Sequence, residues 1–184
     1  MKLFVGVDQA LRKIGVSVIC GDSIELLHLI VPPKELRDAV RLQYLEDALA
    51  HILEPFSDAD GVAMEGQSYG SDGQLDQLGQ IGGIVKLHLL RRYRISPLVV
   101  PPATLKQFVA GNGQADKSMM MRATKVYWDL EVTQDDLCDA HGLARIAQEF
   151  YAPQAQYRHQ VEAVNSLRRK KKSKRIKAVF PKSL

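Results

Sequence analysis

Four acids have surroundings that suit chemistry better than solvation: Asp8 in "KLFVGVD", Glu65 in "GVAMEG", and Asp136 and Asp139 in "QDDLCDAHGLARIA". The last segment reads as an amphipathic helix whose apolar stripe is Leu137, Ala140, Leu143, Ala144 and Ala147. Asp136 and Asp139 stand beside that stripe, three residues apart and so on one helix face, where ionised carboxylates lose hydration. Two carboxylates about 5.5 Å apart repel by roughly 3 kcal/mol at an effective dielectric of about 20, and four together by several times that. Such a cluster takes up protons, splays or holds a cation. Oxygen donors alone suit Mg2+ or Mn2+, which favour octahedral oxygen coordination and retain waters for chemistry. Singly, each acid has an ordinary reading. Asp8 could start a turn, Glu65 could pair with a lysine, and Asp136 could be a first-turn acid after the N-cap candidate Thr133. Asp139 lies a turn further in, beside the small Ala140, and the conjunction of the four favours a shared site.

A sheet could gather them. "KLFVGVD" (2–8) and "IGVSVIC" (14–20) form a hairpin, and "SIELLHLIV" (23–31) adds a third strand stopped by Pro32 and Pro33. Apolar spacing predicts a helix from Lys34 to about Pro55, and "GVAMEG" (61–66) a short buried strand. A polar loop "QSYGSDG" follows, then a glycine-bearing helix over 74–94, a strand over 96–101 and helices over 102–111, 116–128 and 134–150. Hairpin links make the first three strands antiparallel, and helical crossovers make the next two parallel to the first. The expected fold is α/β, a mixed five-stranded sheet with helices on both faces. Asp8 then ends the first strand and Glu65 the fourth; if those strands are neighbours the two acids sit side by side at one sheet edge, and a helix docked there could add Asp136 and Asp139.

The 184 residues suit one domain. No uncharged apolar run nears the roughly 18 residues that span a membrane, and "MKLFVGVD" lacks a signal-peptide pattern, so a soluble, cytoplasmic chain is expected. Cys20 and Cys138 have no metal-site spacing and read as buried thiols. The net charge of +4 is uneven: nine of 25 basic residues and none of 21 acids fall in 168–184, leaving 16 − 21 = −5 on 1–167. The division expected is a domain over 1–155 and a basic extension over 156–184, partly helical or flexible. Arg168, Arg169, Lys170, Lys171, Lys172, Lys174 and Arg175 could meet a polyanion or merely solubilise the end. Contact with eight duplex phosphates would give log K a slope of about −7 against log salt.

The ordered set "FVGVDQALRKIGVSVI", "GVAMEGQSYG", "LGQIGGIVKLHLL", "PPATLKQFVAGNGQADKSMM" and "DDLCDAHGLARIA" resembles the RuvC Holliday junction resolvases of the RNase H-like superfamily over residues 1 to about 150. The resemblance implies that Asp8, Glu65, Asp136 and Asp139 bind two Mg2+ ions per active site, with Mn2+ substituting, about 3.5–4 Å apart across one scissile phosphate. It also implies a homodimer acting on four-way DNA in a bacterial cell or phage-infected bacterium, with in-line hydrolysis leaving a 5′-phosphate and a 3′-hydroxyl. Lys117 aligns with a lysine that the family places near the scissile phosphate; the ordinary reading is a solvated lysine. Arg12, Lys13, Lys106 and Arg122 are candidate DNA-backbone contacts. Tyr69, in the position of the family's junction-wedging aromatic but shifted by one, either stacks on an unpaired base or covers its loop. The helix over 74–94 lies where the family places its dimer contact, or packs on its own sheet. Gln9-Ala10 replace the proline and glycine usual after the first Asp in cellular members, a variant more like the phage-encoded branch. His141, near the acids, is expected to be structural or supporting. Three rivals stand beside this reading: a broader nuclease of branched DNA, an inactive junction-binding protein, and an actin-like ATPase, for which one 184-residue chain is too short.

Overall fold

Tight turns join β1 (Leu3–Gln9), β2 (Ile14–Cys20) and β3 (Ser23–Ile30) into antiparallel pairs. Ala10 N donates to Lys13 O at 3.0 Å in the first link, and Gly21 supplies a φ of 60° in the second. A computed structural model of the chain describes residues 2–56, 58–66 and 75–173, with side chains as far as 169. After β3, Leu36 N donates to Pro33 O at 3.2 Å in a turn that delays α1 to Asp38–Leu53, later than the Lys34 start expected. β4 (Ala59–Glu65) and β5 (Leu98–Val100) flank α2 (Leu75–Tyr93) and run parallel to β1. The strand order is β3-β2-β1-β4-β5, the expected mixed sheet.

Strand alternation divides the core in two. Val5, Val7, Val16, Val18, Val62 and Met64 pack with Leu45, Leu49 and Leu53 of α1 and Ile81, Val85 and Leu89 of α2. The opposite face carries Phe4, Ile19 and Ala63 against α3 (Pro102–Ala110), α4 (Lys117–Trp128), α5 (Asp135–Tyr151) and α6 (Arg158–Ser173). Small residues dominate where α5 crosses. A Cβ at Gly6 would overlap Ala140 O and Ala144 N, and one at Gly15 would overlap Asp136 O. Glycine at these two positions lets the helix backbone rest directly on β1 and β2. α6 buries Gln160, Ala163, Val164 and Leu167, the last three in the same cluster as α3 and α5, so the core continues past residue 155. Among the described residues no helix is long and apolar enough to cross a membrane.

Candidate active site

Asp8 is the penultimate residue of β1 and Glu65 the last of β4. The parity that points Phe4 and Gly6 toward α5 points Asp8 the same way. Asp8 is 5% exposed, and its carboxyl lies close enough to that of Glu65 for the two charges to oppose one another. Burial, then the Glu65 charge, raises the Asp8 pKa well above the usual carboxylate value, and burial also raises that of Glu65.

The close seat of α5 delivers the second pair of acids. The helix starts after Gln134, which makes no side-chain cap, rather than after Thr133. Asp136 is buried in the first turn, and Asp139 follows on the same face. Burial, then the charges of Glu65, Asp135 and Asp136, pushes the Asp139 pKa up to about 7. The fields of Asp139 and Asp136 also reach Asp8. The structure thus brings all four sequence-identified acids together at one end of the sheet.

Lysines surround them. The Lys13 ammonium, on the first hairpin, pairs with Asp136, lies 3.7 Å from Asp135 Oδ1 and donates to Gln134 Oε1 at 3.2 Å. Lys117 is the first residue of α4, whose Asp116 cap accepts from Met119 N at 2.8 Å. Its side chain is 79% exposed and pairs with Asp135. Lys106 on α3 lowers the pKa values of Glu65 and Asp139 by its charge. Among the described residues no three acidic, cysteine or histidine side chains surround a single point; Asp136 pairs with Lys13 and Asp135 with Lys117.

The donor set nevertheless fits Mg2+ or Mn2+. It is all carboxylate, Asp8, Glu65 and Asp139 lie within one another's fields, and Asp136 Oδ2 already faces a cation, the Lys13 ammonium, so a divalent ion would relieve the repulsion. The softer ligands nearby are committed elsewhere. Cys138 Sγ lies 3.8 Å from Thr124 Oγ1, and burial pushes its thiol up to about 12. His141 Nε2 accepts from Arg145 Nε at 3.2 Å, so Nδ1 carries the proton shared with Ser17 Oγ at 3.3 Å. Its ring sits edge-on to Trp128 at 5.3 Å, and burial, with the Arg145 charge, lowers its pKa to about 3. His141 ties α5 to β2.

Other expected contacts divide by position. Arg12 and Arg122 are exposed, and so is Arg169. Arg168 differs from the expectation of a free DNA-binding side chain: it donates to Glu149 O at 2.9 Å and Phe150 O at 3.0 Å, closing the end of α5. Lys170, Lys171 and Lys172 fall in α6 beyond the described side chains, and Tyr69, Lys174 and Arg175 lie outside the described residues. Cys20 is half-buried rather than buried. Sequence reasoning missed Asp135 and Gln9. Asp135 was signalled only by adjacency to Asp136, and Gln9 by continuing β1 beyond Asp8.

The family model for crossover junction endodeoxyribonuclease RuvC matches residues 4–146. The RuvC protein of Bradyrhizobium sp. (strain BTAi1 / ATCC BAA-1182) is 30% identical over 146 residues, covering 76% of this chain and 82% of that one. That of Geotalea uraniireducens (strain Rf4) is 31% identical over 149 residues, covering 76% and 84%. Thermus thermophilus RuvC superposes with a TM-score of 0.65 at 19% identity, over 77% of this chain and 90% of that one. The same protein in complex with a Holliday junction substrate gives 0.71 at 19% identity, over 83% and 96%. At that identity the likeness establishes the fold.

Proposed function

Since the chain belongs to the RuvC family of crossover junction endodeoxyribonucleases, we propose that it is a structure-selective DNA endonuclease resolving four-way junctions by divalent-metal-dependent hydrolysis. The observation that carries this is the meeting of Asp136 and Asp139 with Asp8 and Glu65 at one sheet end, within one another's fields. Asp8, Glu65, Asp136 and Asp139 would hold Mg2+ or Mn2+, two per site. The metal supplies Lewis acidity to the phosphate and activates water at neutral pH.

The chain's own groups do the rest. The rigid ends of β1 and β4 fix Asp8 and Glu65, and α5 fixes the other pair. Lys117 is exposed enough to leave Asp135 for a backbone phosphate, and Lys13 and Lys106 add positive charge at the rim. Water oxygen bonds to phosphorus, the phosphorus–O3′ bond breaks, and O3′ takes a proton, leaving a 5′-phosphate and a 3′-hydroxyl. Paired cuts call for two copies. Leu87 is 44% exposed on α2, one turn from Gly83, which faces open space, while Val40 and Tyr44 are exposed on α1. That apolar face supports a homodimer.

The test is a labelled synthetic four-way junction incubated with purified protein, with and without Mg2+, beside Y-shaped and linear DNA. Paired nicks confined to the four-way substrate are expected, and Asp8→Asn should retain binding while losing cleavage. Equal cutting of Y-shaped DNA would make the enzyme a general debranching nuclease. Binding without cleavage by the unaltered protein would leave a junction-binding protein, and undiminished cutting by Asp8→Asn would refute the site.

A further inference from the structure

The backbone pairing of β1 with β4 ends at Val7 and Met64, one residue before the two acids. Beyond it, Asp8 pairs with Gly15 of β2 and Glu65 with Val100 of β5, so the main chain holds each acid from its outer side. One side chain spans the gap. Gln9 Nε2 donates to the Glu65 carbonyl oxygen, and Gln9 is 6% exposed. Alternation sends Gln9 to the sheet face opposite Asp8, so its amide ties the strand ends without entering the space between the carboxyls.

The remaining amide atom strengthens the case. Gln9 Oε1 is buried without a hydrogen-bond partner, a state that destabilises a fold. An apolar side chain of the same length would fill the space without that cost. The donor end is therefore the reason for an amide here, and what it fixes is the backbone carrying Glu65.

We infer that Gln9 is a positioning residue: it replaces the missing rung between β1 and β4, sets Asp8 against Glu65, and thereby tunes divalent-ion affinity. This rests on the reading that those acids hold the metal. The test follows Tm of the full chain as Mg2+ is titrated, a readout independent of cleavage. Gln9→Met should leave Tm in EDTA unchanged but raise the Mg2+ midpoint about tenfold, the range found when supporting partners of metal ligands are removed. Gln9→Asn, too short to reach Glu65 O, should raise the midpoint likewise while lowering Tm in EDTA, because its buried amide is left unbonded, and the Mg2+ midpoint for junction cleavage should move in parallel. An unchanged midpoint, or a lower Tm in EDTA with the same midpoint, would make Gln9 a purely structural residue and overturn the inference; so would failure of both variants to fold. Wild-type protein whose Tm responds to Mg2+ but which leaves junctions uncut would refute the proposed function without touching Gln9.

Discussion

A carboxylate stripped of water and given other carboxylates as neighbours weakens the fold that holds it, and Asp139 shows this by direction and size. Its pKa is raised from 3.8 to about 7, so the folded protein binds the proton more tightly than the unfolded chain. The stabilising contribution of that proton is full below about pH 4 and is lost as pH rises toward about 7. Asp139→Asn removes its share of the slope and leaves that of Asp8 and Glu65. In EDTA at pH 8 the variant should be more stable by about 1–2 kcal/mol, which is roughly 2–8 °C in Tm for this size, and inactive as a nuclease. A Tm–pH series on both proteins checks it, and equal slopes from pH 4.5 to 8 would refute the repulsion. The same scale separates Arg168 from Arg169. Arg168 caps two α5 carbonyls and lies 5.5 Å over Phe150, so Arg168→Ala should cost about 2 kcal/mol in urea denaturation. Arg169 is exposed, and Arg169→Ala should stay within about 0.5 kcal/mol. The four acids were legible in the sequence because Asp8 and Glu65 fall at strand ends and Asp136 and Asp139 fall in the opening turns of α5 beside its apolar stripe. The fate of Arg168 was not, because composition counts a charge without showing the carbonyls it meets.

Elements decide where those residues stand, and α5 is the governing one. The sequence suggested one apolar stripe, yet Arg145, Gln148 and Glu149 are buried as well. Their polar atoms explain the difference. Arg145 donates to Gly21 O and Asp22 O, Gln148 Nε2 donates to Gly21 O, and Glu149 Oε2 accepts from Gln154 N and Ala155 N. These satisfied groups let the helix lie buried against both the sheet and the outer helices, a role that periodicity could not reveal because the partners are backbone atoms of distant turns. Strand directions were legible from link lengths; the adjacency of β1 and β4 was not, because a helical crossover leaves open which parallel neighbour a strand takes. The seats for α5 were not, since Gly6 and Gly15 look like ordinary glycines until a helix lies on them. Gly6→Ala would drive a methyl into the backbone of Ala140 and Ala144, costing about 1–3 kcal/mol or more and moving Asp136 and Asp139 away from Asp8. Thermal denaturation together with a junction-cleavage rate checks this, and an unaltered rate would show that the seat does not govern the acids.

At the scale of the whole molecule, charge and apolar surface are sorted to different places. If α2 meets its copy through Leu87 and Gly83, Leu87→Glu buries an unpaired charge at the contact. It should shift sedimentation from dimer toward monomer, and an unshifted profile would assign the contact to another face. On the proposed reading the basic run would act by a different law, because charge contacting DNA phosphates works through counterion release rather than shape. Removing 174–184 takes away Lys174, Arg175, Lys177 and Lys182. With each contacting one phosphate, the slope of log K against log salt should become shallower by about 3–4, while cleavage at saturating DNA is unchanged. Lys117→Met makes the converse case: one lost contact changes the slope by only about 1, but the chemical step slows because that ammonium stands beside the acids. Anisotropy titrations over several salt concentrations, paired with single-turnover cleavage, separate the two. A truncated chain with the full slope would mean that residues 174–184 are solvated, not bound, and that the junction is held by the charges that remain.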